Sequence, residues 1–171
     1  FGILVGFPSV RLKGPYLAVV TLGFGIAVYQ IFMNSPVLSG GRMGLSIPVI
    51  EPVAGLSQVN FNFYFNLLIA FCFILLTYNI VSSYMGRAFI AIRDNDVSAE
   101  IIGIPIFPYK LLAFSISAFY AGVAGALFAG FLRTAIPENY TFLHSVIFLA
   151  MVLVGGLGRL VGTVFGVIFI T

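Results

Sequence analysis

His144 is the only histidine in the chain and Cys72 the only cysteine, so nucleophilic or metal-dependent chemistry would have to be built around one of them. His144 has no Cys, Asp or Glu at metal-ligand spacing, and a polar-facing or helix-packing histidine fits its setting better than a catalytic one. Cys72 sits in the middle of an apolar run, where its expected part is packing, and a lone cysteine forms no intrachain disulfide. No Gly-x-x-x-x-Gly-Lys-Ser/Thr loop occurs, so the chain is not expected to hold ATP in that manner. The run Gly155-Gly156-Leu157-Gly158-Arg159-Leu160-Val161-Gly162 lacks the strand and the glycine spacing of a dinucleotide fingerprint. What remains is a set of uncharged polar groups inside apolar segments: Thr21, Gln30, Asn66, Thr77, Asn79, Ser115, Ser117 and Tyr120. These can hydrogen-bond a small solute or a neighbouring helix. They cannot readily store ion-gradient energy, for which secondary transporters and proton pumps usually keep Asp, Glu, Arg or His within the membrane. Uphill movement of a solute through such a chain would draw its energy from a partner.

The segments that carry these groups follow from composition. Hydrophobic residues make up 61% of the 171 positions and charged residues 8%, and the mean hydropathy is +1.15. A soluble domain is about one-quarter charged, so this chain needs lipid as solvent. A membrane helix takes roughly 20 apolar residues, and uncharged runs of about that length fall at 15–33, 63–82 and 111–132. A fourth run, 142–157, is followed after Arg159 by a fifth, 160–171. The expected architecture is all-α, a polytopic transmembrane helical bundle. The absence of Met at position 1 and the apolar run at residue 171 lead us to expect a fragment of a longer protein, cut at both ends. Residues 1–8 have neither the basic flank nor the cleavage pattern of a signal peptide.

Alternation of the spans puts Arg11, Lys13, Arg87, Arg93, Lys110 and Arg159 on one side and Arg42 and Arg133 on the other. Short cytoplasmic loops retain Lys and Arg, which assigns the first side, with the loop 83–110, to the cytoplasm and residues 34–62 to the exterior. The net charge is +3, but the basic residues form no tract that could follow a phosphate backbone, and nucleic acid is not an expected partner. In the internal loop, 87–102 has no Gly or Pro and sets Ala88, Ala91, Ile92 and Ala99 among Arg93, Asp94, Asp96 and Glu100, as one short amphipathic helix would. Gly103 and Pro105 end it. Small residues recur at spacing four as Ala118, Gly122 and Ala126, as Ala121, Gly125 and Ala129, and as Gly158, Gly162 and Gly166. Each series reads as a face along which membrane helices approach closely.

The loop Gly86-Arg87-Ala88-Phe89-Ile90-Ala91-Ile92-Arg93-Asp94-Asn95-Asp96-Val97-Ser98-Ala99-Glu100-Ile101-Ile102-Gly103-Ile104, with Tyr109-Lys110-Leu111-Leu112-Ala113-Phe114 after it, resembles the cytoplasmic loop of the LivM-type branched-chain amino-acid permeases of the LivH/LivM family. The likeness continues through Ser117-Ala118-Phe119, Ala121-Gly122, Ala124-Gly125-Ala126-Leu127, Pro137-Glu138 and Val154-Gly155-Gly156-Leu157-Gly158. Upstream it includes Pro8-Ser9-Val10-Arg11-Leu12-Lys13-Gly14, Tyr16 and Thr21-Leu22. The sequence departs from the family pattern at Phe89-Ile90, where a Leu-Arg pair is common, and at Arg42. It matches the general permease EAA motif in Ala99, Glu100 and Gly103 alone.

The resemblance implies the permease of an ABC importer in a prokaryotic inner membrane: two permease subunits, two cytoplasmic ATPase subunits and an external solute-binding protein. ATP and Mg would be bound by the ATPase partners, leaving this chain without enzymatic activity or cofactor. It further implies that the loop carries the helix that docks on an ATPase, with Arg87, Arg93, Asp94, Asp96, Ala99, Glu100 and Gly103 as its residues, Ala99 being small enough for a shallow groove. Ala118, Gly122, Gly125, Ala129, Gly158 and Gly162 are the expected helix-packing positions. The alternatives are a urea or short-amide permease of the same kind, an ion-coupled secondary transporter, and a membrane scaffold that transports nothing.

Overall fold

A computed structural model of the chain describes residues 2, 6–7, 15–41, 44–48, 57–156, 158 and 160–170. The chain divides into two compact units, Phe1–Leu22 with Ile47–Thr134 and Gly23–Ser46 with Ala135–Thr171. Helix α1 (Pro15–Asn34) runs from the first unit into the second.

In the first unit two long helices, α3 (Gln58–Ser82) and α6 (Ile106–Leu132), are joined at one end by two short ones, α4 (Tyr84–Asp94) and α5 (Asp96–Ile101). At about 1.5 Å per residue α3 and α6 are roughly 37 and 40 Å long, enough to cross a hydrocarbon core of about 30 Å. Neither needs an internal apolar face. α3 has no buried residue and α6 has only Ala129, while Phe63, Leu68, Phe71, Phe119 and Phe131 lie open along them. Lipid or further helices are the natural solvent of such surfaces. The buried apolar residues Ala88, Ile92 and Ala99 sit instead in the short joining helices.

The second unit contains the short helix α2 (Pro36–Ser39), strand β1 (Leu45–Ser46) and the helices α7 (Phe142–Gly155) and α8 (Leu160–Ile170). β1 pairs with β2 (Thr134–Ala135). A 3-10 turn, Pro137–Tyr140, precedes α7. With that turn α7 becomes a 19-residue apolar stretch, the third in the described residues long enough to cross a membrane; Val19–Asn34 and Val161–Ile170 are shorter apolar helices.

α7 and α8 form an antiparallel hairpin whose seam is backbone against backbone. A Cβ added to Gly155 would lie 2.8 Å from the Thr163 Cα, and one added to Gly166 would lie 2.7 Å from the Gly155 nitrogen. Both are closer than a side chain tolerates, and glycine permits the approach. Gly158 is not part of that seam, contrary to the spacing-four expectation. It lies in the turn between the helices at φ 85°, as Gly156 does at φ 93°, a conformation that glycine adopts without steric cost.

Candidate functional site

Side-chain caps and an ion pair fix the joining helices of the first unit. α3 ends at Ser83, whose hydroxyl donates to the Ile80 carbonyl at 2.6 Å and accepts from the Gly86 amide at 3.4 Å. One side chain thus stops the long helix and caps the next. The corner is so tight that a Cβ on Gly86 would lie 2.6 Å from the Ile80 carbonyl oxygen. α4 then buries Gly86, Ala88 and Ile92 and leaves Arg87, Arg93 and Asp94 exposed. Arg87 stands over the Tyr84 ring at 5.6 Å, and Arg93 pairs with its neighbour Asp94 at 3.0 Å.

The single helix expected over 87–102 is two helices. Asn95 takes an extended backbone at φ −161°, and its Oδ1 accepts from the Val97 and Ser98 amides at 2.9 and 3.1 Å. That N-cap ends one helix and starts another, at a contribution of about 1 kcal/mol. Ala99 in the second of these helices is 1% exposed. The docking role expected of Ala99 is therefore corrected, since its side chain packs within its own chain. The outward face of this segment carries Glu100 together with Val97, Ile101 and Ile102, which are 63%, 79% and 71% exposed. At the far end Ile104 N donates to Ala99 O and Gly103 N to Glu100 O, both at 3.0 Å, with Gly103 at φ 84°. This is a Schellman stop, whose left-handed position favours glycine.

Two contacts tie this segment to the long helix that follows. Asp96 Oδ2 and Lys110 Nζ pair at 2.5 Å, each side chain 30% exposed. The Phe89 and Tyr109 rings meet edge to face at 5.9 Å, which gives the departure from the family pattern at Phe89 a packing role. The Asp96–Lys110 pair is not legible in the sequence, because its members lie fourteen positions apart on different helices.

A model of the family described as branched-chain amino acid transport system, permease component, matches residues 1–171. The chain belongs to that family. The high-affinity branched-chain amino acid transport system permease protein LivM of Salmonella typhimurium is 34% identical over 92% of this chain and 43% of its own length. A probable branched-chain amino acid transport permease protein LivM of Methanocaldococcus jannaschii is 28% identical over 98% of this chain and 50% of the relative. The autoinducer 2 import system permease protein LsrC of an Enterobacter species is 30% identical over 99% and 50%. The chain spans about half the length, or less, of these relatives. No solved structure matches it. The family and the apolar helices make this a polytopic, all-α membrane protein.

Within the permease the small-residue positions divide. Ala118 meets the chain start, its Cβ 2.5 Å from a Cβ placed on Gly2. Ala129 is buried, Gly125 is half-buried, and Gly162 lies in the α7–α8 seam. A Cβ at Gly122 would have nothing within 4 Å among the described residues. Cys72, expected to pack inside, is exposed. His144 Nδ1 lies 3.0 Å from Thr141 Oγ1 at the start of α7, and no metal-binding cluster occurs among the described residues. Thr77 and Tyr120 bring their hydroxyls to 3.2 Å between α3 and α6 beside the Phe73 ring.

Of the eight basic residues, Arg11, Lys13, Arg42 and Arg159 lie outside the described residues. Arg87, Arg93 and Lys110 gather at the joined end of α3 and α6, and Arg133 stands at the opposite end as the C-cap of α6. There Gln58, Asn62 and Asn66, four residues apart on α3, line a cavity of about 110 Å³ with Arg133, Phe65 and Phe131. Of these, only Asn66 falls inside an uncharged run and is expected from sequence as a solute group. The spacing of four is visible in the sequence, but the convergence with Arg133 is a product of the fold.

Proposed function

We propose that this chain is part of the membrane-spanning permease subunit of an ATP-driven importer for branched-chain amino acids. ATP and Mg are held by two cytoplasmic ATPase subunits, a second permease chain completes the pathway, and an external solute-binding protein delivers the amino acid. The protein sits in the inner membrane with the α4–α5 end in the cytoplasm. The observation that carries the reading is the outward face of α5. Val97, Ile101 and Ile102 are exposed beside Glu100 on a segment braced by the Asp96–Lys110 pair, in a family of transport permeases. Exposed apolar side chains on a capped helix at the water-facing end of a membrane protein mark a partner surface. The uncharged runs of this chain hold no Asp, Glu, Lys or Arg for ion coupling, which disfavours the alternative of an ion-driven transporter.

The test is reconstitution of the complete importer in proteoliposomes. ATP-dependent uptake of leucine, isoleucine or valine, insensitive to collapse of ion gradients, is expected. Uptake driven by a gradient without ATPase subunits would overturn the reading. Ile101→Asp removes a side chain whose burial at an interface is worth about 2 kcal/mol or more, roughly a thirtyfold loss of association. The permease should then insert at normal abundance but lose the co-purifying ATPase.

A further inference from the structure

We infer that Arg133, with the carboxamides of Gln58, Asn62 and Asn66, forms a site for the carboxylate of an amino-acid solute at the end of α3 and α6 remote from the joining helices. The inference rests on the reading of the chain as part of an amino-acid permease. The cavity these residues line measures about 110 Å³, room for three or four waters at about 30 Å³ each. That suits a carboxylate and its α-carbon, with Phe65 and Phe131 among the lining residues to meet the apolar side chain. A guanidinium offers a planar fork of donors matched to a carboxylate, and amides add neutral donors and acceptors for an ammonium or carboxylate neighbour. Among the described residues no carboxylate pairs with Arg133.

The backbone adds an independent observation. Arg133 has φ 58°, the one positive φ outside glycine among the described residues. Its carbonyl is anchored by the Ile47 amide at 3.0 Å. This is the left-handed C-cap position that glycine ordinarily fills, so an arginine there is kept against local backbone preference. Such outliers point to a use for the side chain.

The same preference supplies the experiment. In the complete importer with its binding protein, Arg133→Gly puts the favoured residue at that φ, and intact complex should be recovered in wild-type yield. Leucine uptake should fall at least about tenfold, the effect of losing a charge-assisted pair. Arg133→Lys, which keeps the charge without the fork, should fall between. Asn62→Asp supplies an internal carboxylate to occupy Arg133 and should also depress uptake. Wild-type uptake by Arg133→Gly would overturn the inference. So would a loss of uptake matched by loss of assembled complex, which would assign the guanidinium to lipid phosphate or to packing. Failure of the wild-type importer to take up any branched-chain amino acid would overturn the functional reading first, and this site with it.

Discussion

Removing the charge of Asp96 should loosen the joining segment without disturbing the long helices. The pair with Lys110 is short, at 2.5 Å, and each side chain is 30% exposed. An exposed ion pair contributes about 0–1 kcal/mol, and breaking a fully buried one costs roughly 3–5 kcal/mol. A pair that has lost about two-thirds of its solvent access falls between, and Asp96→Asn should cost about 1–2 kcal/mol, a five- to thirtyfold shift in a local opening equilibrium. The measurement is amide hydrogen exchange across 97–104 in the assembled permease, where exchange reports local opening directly. Exchange should accelerate by that factor in Asp96→Asn and in Lys110→Met, and hardly further in the double variant. The coupling energy of the cycle should then equal the cost of one single change, about 1–2 kcal/mol. Additive effects of the two single changes would refute the reasoning, because the pair would then bear no shared load.

Gly86→Ala places a methyl against the Val81 and Ile80 carbonyls and should lower the yield of intact permease after detergent extraction, since the backbone of a capped corner has little room to yield; equal yield would show that the corner can open. Single cysteines at Asn95 and at Ser57, in a Cys72→Ala background, should react with an impermeant thiol reagent from opposite faces of the membrane. Reaction of both from outside would overturn the proposed topology.

Run length alone marks the long helices in the sequence, because lipid demands about twenty uncharged residues regardless of sequence detail. α3 nevertheless starts at Gln58, five residues ahead of the expected run, and α6 at Ile106, ahead of Lys110. Helices continue past the apolar stretch, where composition no longer marks them. In the joining segment the apolar periodicity suggests one helix, although Asn95 is a strong N-cap residue in its own right. Eleven residues on from Ala88, Ala99 falls only about 20° away on an uninterrupted helix, so the periodicity itself sets it on the buried face with Ala88 and Ile92. Glycine spacing at 158, 162 and 166 looks continuous, but a count of four does not see a turn at φ 85°. For Gly122 the sequence indicates close approach without naming what approaches, and no described residue does so. Arg133 meets Gln58 and Asn62 across about seventy positions of chain, a convergence that only long-range packing produces.

The Ser83 corner makes α4 a crank. Its hydroxyl is engaged with both helices at once, and only one non-helical residue separates α3 from α4, so rotation of one helix is geared to the other. α4 has 11 residues, an arm of about 16 Å. A swing of about 10° at the corner therefore carries Asn95 through roughly 3 Å, more than the length of the Asp96–Lys110 contact that steadies the far end.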